Sequence, residues 1–390
     1  MNAKFDLIVD SAPGETRAAL LRDETLVELL VLRRTDPPRR GDVYLGRVGK
    51  IEKGLNAAFV EIGDGPSGFL PLSAKLRGIT EGAAVPVAIT AEAVGTKGPR
   101  LSFDPAHGDS RPAKAPVCLA HETNLIAVAL REFEDFKFDR IVADGPACFA
   151  QLRAALRKLM PDSENRLELH SGNASAFETF GIEEQIERAL ASPLVLDSGV
   201  ELHFGETEAL TAIDVDAASY APRNKSAGAL GANLAASPEI ARQICLRNLS
   251  GLILVDFPRM KNPQARKRLL EVFAGALKHD SAPVHVHGFT RTGLLEITRE
   301  RRRRPLSAIL LESATAPRKN AETVAREILR AVLRTSPRGP LTISAAPEIV
   351  AWLEGAGRAD WVAAESALRV PLRLQSRPGL KRDRFEIAGT

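Results

Sequence analysis

Hydrophobic and polar positions alternate along two short stretches near the middle of the chain. Residues 210–216 read LTAIDVD, and residues 252–257 read LILVDF. Because successive side chains of a strand point to opposite faces, Asp214 and Asp216 share one face of the first strand. Asp256 ends the apolar run of the second stretch, as an acid at the end of a buried strand does. The pattern predicts two strands whose three carboxylates meet if the strands are neighbours.

The same kind of pattern divides the rest of the chain into five segments. Residues 1–38 alternate as strands, and residues 39–103 form short β-runs with Gly turns, which predict a small closed barrel. Residues 104–139 begin with a Pro- and Gly-rich linker that precedes a strand and an amphipathic helix. Residues 140–318 alternate strands and helices, which predicts α/β packing, and residues 319–390 read as a small α/β unit.

Composition describes an ordinary folded protein with more than one domain. The chain has 390 residues, of which 44% are hydrophobic and 26% charged. No apolar run approaches the roughly 20 residues of a membrane span, and the N-terminus lacks the pattern of a signal peptide. Its three cysteines are scattered without CxxC spacing, which argues against a disulfide framework and a zinc knuckle. We therefore expect a cytoplasmic protein without a membrane partner.

The predicted acidic cluster has a chemical interpretation and a simpler alternative. Clustered carboxylates repel one another and are tolerated mainly when they share protons or a cation. A site of few oxygen ligands suits Mg²⁺, with Mn²⁺ as an alternative. Basic residues follow at 259–268 and 299–304, as expected where a polyanion is held over a metal. The alternative, which is preferred for any one aspartate taken alone, is that it caps a turn at the end of its strand.

The predicted barrel carries candidate contacts for nucleic acid. Phe59 and Phe69 fall on its strands, and Tyr44 and Lys97 lie nearby in the sequence. Aromatic rings interleaved with cations form a stacking platform for single-stranded nucleic acid. Packing in the barrel core is the alternative for either phenylalanine alone.

Four longer strings resemble one known family, the RNase E/G endoribonucleases. Together they extend over most of the chain, and their order is that of the family. The strings are GDVYLGRVGKIEKGLNAAFVEIGDGPSGFLPLSAK at 41–75, EALTAIDVD at 208–216, NLAASPEIARQICLRNLSGLILVDF at 233–257 and FTRTGLLEITRERRRRPL at 289–306.

The resemblance implies a fold and a set of site residues. The fold class is α/β (α+β) and multidomain: a mixed-sheet catalytic nuclease core, to which residues 1–38 and 140–318 would belong, with an inserted OB-fold β-barrel and a small C-terminal α/β subdomain. Asp214 and Asp256 match the two metal-binding aspartates of the family. Phe59 and Phe69 match aromatic residues that contact RNA bases, and Lys97 matches a basic residue of the same barrel.

Further basic and histidine residues remain candidates with open alternatives. Arg291, Arg299 and the arginines at 301–304 are candidates for contact with the RNA backbone, although such a run is equally typical of a solvated face. His285 and His287 share one face of a predicted strand. They suggest a metal pair, but a structural or RNA-facing role is preferred because no third ligand is evident.

Three departures from the family pattern change the expected chemistry. Asp216 stands where the family usually has Asn; it would position Asp214 or a metal-bound water, and its extra charge would tighten cation binding or favour protonation of a neighbouring carboxylate. The Arg-Thr-Ala-Gly string of the 5'-monophosphate pocket is absent, so 5'-end sensing is not expected. The CPxC pair that shares zinc between protomers is also absent, which excludes zinc and a zinc-linked dimer and leaves a monomer among the open states.

These observations predict a Mg²⁺-dependent endoribonuclease that hydrolyses single-stranded RNA, with Asp214, Asp256 and Asp216 as the catalytic residues. The competing hypothesis is a non-catalytic RNA-binding protein that retains the same fold. The two aspartates that match the metal ligands favour the enzyme.

Overall fold

The computed structural model describes residues 4–389 except for 64, 74, 75, 77, 108–113, 221–227, 313–317 and 338. Parts of the predicted linker and of the segment that follows the arginine run therefore lie outside the described residues. The chain forms two compact units: unit 1 comprises residues 1–35, 124–191 and 306–390, and unit 2 comprises residues 36–123 and 192–305.

Unit 1 contains a five-stranded sheet built from the N-terminal strands and two later ones. Its strands and helices are β1 (Phe5–Ala12), β2 (Glu15–Arg22), β3 (Thr25–Arg33), α1 (Leu125–Glu132), β10 (Arg140–Asp144), α2 (Gly145–Leu159), β11 (Leu167–His170), α3 (Ala176–Thr179) and α4 (Ile182–Leu190). The strand order is β11-β10-β1-β2-β3, and β1 runs parallel to β10 and antiparallel to β2. The N-terminal strands, which the resemblance assigns to the nuclease core, thus pair with β10. The sheet that they form is not the sheet that carries Asp214 and Asp256.

Apolar side chains on one face of this sheet pack against α1 and α2. Leu7 and Val9 of β1 are buried with Leu130 of α1 and Leu152 of α2. Helix α1 begins after Asn124, whose side chain accepts hydrogen bonds from the first turn, as N-cap residues do. The strand and helix predicted before residue 139 are confirmed.

The C-terminal part of unit 1 is a second, smaller α/β layer. It contains α7 (Leu306–Leu310), α8 (Ala321–Leu333), β18 (Leu341–Ala345), α9 (Pro347–Glu354), α10 (Arg358–Leu368), β19 (Leu372–Ser376) and β20 (Phe385–Gly389). The strand order is β19-β18-β20. Trp361 is 2% exposed in the core between these helices and strands.

Unit 2 begins with a closed five-stranded, OB-like barrel. Its strands are β4 (Val43–Glu52), β5 (Ala57–Glu61), β6 (Gly68–Pro71), β7 (Ala84–Ala91) and β8 (Arg100–Phe103), and β9 (Val117–Ala120) adds to β4 from outside. The order β5-β6-β8-β7-β4 closes through a second pairing of β5 with β4. Closure leaves the barrel without a free edge, and Val48, Val60, Leu70 and Leu101 fill its interior.

The rest of unit 2 is a six-stranded mixed sheet with two helices packed against it. It contains β12 (Leu194–Val195), β13 (Glu201–Glu206), β14 (Leu210–Asp216), α5 (Gly228–Leu246), β15 (Gly251–Asp256), α6 (Pro263–Ala276), β16 (Val284–Phe289) and β17 (Leu295–Arg299). The order is β12-β13-β14-β15-β17-β16. Ile213 and Val255 point to the helix side and are buried with Ile240 of α5 and Phe273 of α6. The opposite face carries the aspartates.

Two local predictions for this sheet are wrong. The Ser-Pro-Glu sequence predicts a helix start at Ser237, but α5 begins at Gly228 and continues through Pro238. The preceding residues are mostly small and helix-forming, and Ala232 and Ala236 are buried in the sheet core, so packing outweighs the local start signal. Gly205, expected at the hairpin turn, lies within β13 opposite Ala212.

Among the helices that the structure describes, none combines the length and apolar character needed to cross a membrane.

Candidate active site and RNA interface

Asp214 and Asp256 lie side by side on the exposed face of the six-stranded sheet. Strands β14 and β15 are parallel neighbours, and these two residues are partners in their register. Adjacent strands are about 4.8 Å apart, and paired residues point to the same face. Both side chains are exposed, whereas Val215 and Val255 beside them are buried. The condition for carboxylates to meet, that the two strands are neighbours, is thus fulfilled for Asp214 and Asp256.

Asp216 has a partner of its own at the end of β14. Its Oδ1 accepts a hydrogen bond of 2.7 Å from the backbone N–H of Ala218. This is the turn-capping role that the sequence left open as the simpler alternative. Within the described part of the chain, no three His, Cys, Asp or Glu side chains lie close enough together to hold a metal ion. The expected convergence of three carboxylates is therefore not seen; Asp214 and Asp256 form a pair.

The loop after Asp256 is fixed by two side chains that the sequence analysis did not identify. Asn233, fully buried in α5, donates from Nδ2 to the carbonyl oxygen of Pro258 at 2.9 Å. Arg266 donates from Nε to the carbonyl oxygen of Met260 at 3.1 Å. A polar residue among the apolar positions of α5 was the available signal.

Two residues of β13 extend the polar face and were also missed. His203 is the register partner of Asp214, and Glu201 is the partner of Asp216. The His203 Nε2 lies 3.9 Å from the Glu201 Oε2, and both side chains are more than a third exposed. The period of two along β13 would have placed both on one face, but only strand pairing relates that face to the aspartates.

Arg291 lies at the same end of the sheet as Asp256. It is exposed in the hairpin between β16 and β17, and Leu295, which begins β17, pairs with Val255. Arg259 is exposed in the segment that follows Asp256. Both positive charges belong to loops at the end of the sheet that carries Asp256, so this end can attract a polyanion.

Arg299 does not face solvent, and its expected contact with RNA is wrong. Its side chain is 1% exposed and forms a two-point ion pair with Asp280, with distances of 2.7 and 2.8 Å. A further guanidinium nitrogen donates to the Asn248 side chain and to the Leu249 carbonyl. Burial opposes the charge of Asp280, yet the hydrogen bonds and the positive charge of Arg299 hold the pKa of that carboxyl below its usual range. Arg299 therefore stabilises the sheet.

Phe59 and Phe69 form a cross-strand pair on the barrel. They are register partners on β5 and β6, and their ring centroids are 6.0 Å apart in an edge-to-face arrangement. Both rings are partly exposed, whereas Ala58 and Leu70 beside them are buried. The rings are thus available for base stacking as well as for contact with each other.

Tyr44 and Lys97 have different surroundings. Tyr44 packs against the barrel core, and burial together with the nearby Cys118 and Asp42 raises the pKa of its hydroxyl group. Lys97 is exposed, and its Nζ donates to the carbonyl oxygen of Glu208 at 3.0 Å. The turn that contains Glu208 precedes β14, so Lys97 joins the barrel to the strand of Asp214 and Asp216 within unit 2.

The histidine pair on β16 is exposed on the polar face. His287 Nε2 lies 2.8 Å from the hydroxyl oxygen of Thr298 on β17, and His285 is the register partner of Thr298. No metal cluster is found at either histidine within the described residues.

The donor set at Asp214 and Asp256 fits a Mg²⁺ ion. Mg²⁺ binds proteins through one or two carboxylates, retains several waters and uses oxygen atoms of a phosphate substrate for its remaining coordination. Two exposed carboxylates on adjacent strands supply such a partial set of hard oxygen ligands.

Several known proteins are similar to this chain over long stretches of sequence. The model of the Ribonuclease E/G family matches residues 103–302, about half of the chain. Ribonuclease G of Escherichia coli (strain K12) is 26% identical, with 98% of this chain and 99% of that protein covered. Ribonuclease G of Haemophilus influenzae is 27% identical, with 84% and 87% covered. A chloroplastic ribonuclease E/G-like protein of Arabidopsis thaliana is 33% identical over 54% of this chain and 22% of its own length. With its paired aspartates, its OB-like barrel and this family match, the chain belongs to the Ribonuclease E/G family.

Proposed function

We propose that this protein is a metal-dependent endoribonuclease that hydrolyses single-stranded RNA in RNA processing or decay. The observation that carries the proposal is the register of β14 and β15, which sets the exposed carboxylates of Asp214 and Asp256 side by side. The names of its ribonuclease G relatives, which align over nearly the whole chain, support the same activity.

Asp214 and Asp256 would hold Mg²⁺, or Mn²⁺ in its place. When bound, the ion supplies an activated water and offsets negative charge on the scissile phosphate. The chain keeps the two carboxylates in position through their strand pairing and through Asn233, which fixes the loop after Asp256. Asp216 would position Asp214 or a metal-bound water indirectly, because its own oxygen caps the turn at Ala218.

The barrel would bind the RNA strand and present it to the aspartates. Phe59 and Phe69 would stack on bases, at about 1 to 3 kcal/mol for each ring that stacks. Lys97, beside β14, would contact the RNA backbone between the barrel and the sheet. Arg291 would contact the RNA backbone near Asp256. Tyr44 would contribute at the margin of the barrel, where its ring is only partly buried.

The enzyme would act without sensing a 5'-monophosphate. The segment between β8 and β10 contributes β9 to the barrel and α1 to unit 1, and its sequence has no Arg-Thr pair. The alignment with the Escherichia coli ribonuclease G extends over 483 positions, so that relative has segments without a counterpart in this chain of 390 residues. No zinc-linked dimer would form, because residues 306–320 contain neither Cys nor His. A cytoplasmic location and a monomeric state stay predictions.

A second candidate function is RNA binding without cleavage. It is favoured by one observation: no third acidic or histidine ligand accompanies Asp214 and Asp256 among the described residues. A carboxylate pair is nevertheless sufficient for Mg²⁺, which supports the enzyme.

The test is cleavage of a fluorescent single-stranded oligoribonucleotide with and without Mg²⁺. We expect cleavage by the wild-type protein with Mg²⁺, loss of cleavage in EDTA, and loss in Asp214→Ala and Asp256→Ala. RNA affinity should change little in both variants, because the barrel and the basic loops supply it separately.

The matched control is Asp197→Ala, which removes an aspartate of unit 2 that lies outside β14 and β15. It should cleave like the wild type. Equal cleavage by wild type, Asp214→Ala and Asp256→Ala would refute the site, and RNA binding without cleavage by the wild type would establish the second candidate.

A further inference from the structure

Arg100 continues the row of side chains that begins with Phe59 and Phe69. The two phenylalanines are partners on β5 and β6, and Phe69 is in turn the partner of Arg100 on β8. Register partners point to the same face of a sheet. Arg100 is exposed, so two rings and one guanidinium group lie in sequence across three adjacent strands of the barrel.

Arg301 is held beside Arg100 by backbone contacts. Ala91 of β7 pairs with Arg100, and the next residue, Glu92, donates from its backbone N–H to the carbonyl oxygen of Arg302 at 3.1 Å. Arg301 therefore lies next to the strand that carries Arg100. Burial and then the positive charge of Arg100 lower the pKa of Arg301.

Arg302 and Arg304 of the run 301–304 have partners, whereas Arg301 has none among the residues that the structure describes. Arg302 donates to a backbone carbonyl at 2.6 Å, and Arg304 pairs with Asp36. Within the part of the chain that the structure describes, neither Arg301 nor the guanidinium group of Arg100 has a hydrogen-bond or ion-pair partner. Two adjacent cations without a counter-ion repel each other, and a bound anion would remove that repulsion.

We propose that Arg100 and Arg301 bind one phosphodiester group of the RNA strand whose bases stack on Phe59 and Phe69. Planar guanidinium donors match phosphate oxygens in pairs, and the neighbouring rings favour a nucleic acid strand over a free anion. This proposal rests on the proposed function, which it refines by fixing where the backbone crosses the barrel.

The position of this phosphodiester site also sets the distance to the aspartates. Arg299, two residues before Arg301, pairs with Gly251 at the start of β15, whereas Asp256 ends that strand. Five residues of strand extend over about 17 Å. An RNA strand held by Arg100 and Arg301 would therefore have to follow the polar face of the sheet before it reaches Asp214 and Asp256. Cleavage would then occur several nucleotides away from the bound phosphate.

The test is the salt dependence of RNA binding, measured by fluorescence anisotropy in EDTA with a labelled single-stranded oligoribonucleotide. For Arg100→Gln and Arg301→Gln we expect Kd to rise about three- to tenfold at moderate salt. The slope of log Kd against log salt should fall by about 0.7 for each phosphate contact that is lost. Arg358→Gln, an exposed arginine of unit 1, removes the same charge and should leave the slope unchanged.

A second measurement uses oligonucleotides in which one linkage at a time is a neutral methylphosphonate. One linkage should weaken binding to the wild type most, and the Arg100→Gln/Arg301→Gln double variant should lose that preference. Circular dichroism melting curves must first show that each variant is folded.

The outcomes separate the two proposals. A wild type that does not bind RNA would overturn the proposed function itself. The phosphodiester site alone would be overturned by a different result. In that result Phe59→Ala weakens RNA binding, but the Arg100→Gln/Arg301→Gln double variant has the same Kd and the same salt slope as the wild type.

Discussion

At the residue scale, Asp216 stands at a position where the resemblance to the family leads us to expect Asn. Its Oδ1 caps the turn at Ala218, and the amide oxygen of Asn could accept the same hydrogen bond. Asp216→Asn should therefore remain folded while one negative charge is lost beside Asp214. We expect cleavage equal to or faster than that of the wild type, together with a higher Mg²⁺ requirement, measured as initial rate against Mg²⁺ concentration.

Asp216→Ala is the control, because it removes the charge and the turn cap together. If Asp216→Asn lost as much activity as Asp214→Ala, Asp216 would be an essential ligand and the capping role would be secondary.

The two arginines of the β16–β17 region show how little a residue type alone decides. Arg291 and Arg299 both lie in the arginine-rich string at 289–306, but only Arg291 is exposed. Arg299 is saturated by Asp280, Asn248 and a backbone carbonyl. Strand alternation placed Arg299 on the buried face of β17, where a cation is tolerated only with such partners.

At the element scale, charged residues hold helix α8 against the sheet of unit 1. The carboxylate of Glu15 on β2 is buried between Arg33 of β3, at 2.8 Å, and Arg330 of α8. Arg33 also donates to the hydroxyl of Thr323 on α8 at 3.0 Å. Helix and strands are thus joined through a carboxylate that must be ionised.

This network predicts a specific acid sensitivity of unit 1. Burial opposes ionisation of Glu15, but Arg330, Arg33 and Arg17 together lower its pKa from 4.5 to about 2. A carboxyl whose pKa is lower in the folded state contributes stability above its unfolded pKa and loses it as pH falls through the folded value. Its contribution should therefore be complete above about pH 4.5 and decline towards pH 2, by on the order of 3 kcal/mol.

Chemical denaturation between pH 2 and pH 7 would measure this effect as about 3 kcal/mol of unfolding free energy. Glu15→Gln should be less stable than the wild type at neutral pH and should show a flatter pH dependence. Glu187→Gln, which removes an exposed carboxylate of the same unit, should follow the wild-type curve. Parallel curves for wild type and Glu15→Gln would mean that other groups carry the acid sensitivity.

At the scale of the whole molecule, the sequence of the segment between β8 and β10 leads to a prediction about substrate choice. Recognition of a 5'-monophosphate needs charge-assisted donors arranged around its oxygens. Without the family's Arg-Thr string, cleavage of one oligonucleotide with a 5'-monophosphate, 5'-hydroxyl or 5'-triphosphate end should differ by less than tenfold, or about 1.4 kcal/mol. A zinc chelator should leave the mass in solution unchanged.

An advantage of tenfold or more for the monophosphate would reveal a sensor elsewhere in the chain. Dissociation of a dimer by the chelator would reveal a zinc site. The mass measurement without the chelator also determines the oligomeric state.

The sequence by itself determined the local features of this protein. Period-two alternation located β14 and β15 and put Asp214 and Asp216 on one face, closely spaced Gly turns predicted the barrel, and long motif strings identified the family. These features depend on neighbours in the chain, which a single sequence displays directly.

Only the tertiary structure decided which distant residues meet. Strand register made His203 and Asp256 the neighbours of Asp214, aligned Arg100 with Phe69, and buried Arg299 against Asp280. Packing carried α5 through Pro238 against its local start signal. Pairing and burial depend on contacts between segments far apart in the chain, and because a shift of one residue in register moves every side chain to the other face, no local pattern can fix them.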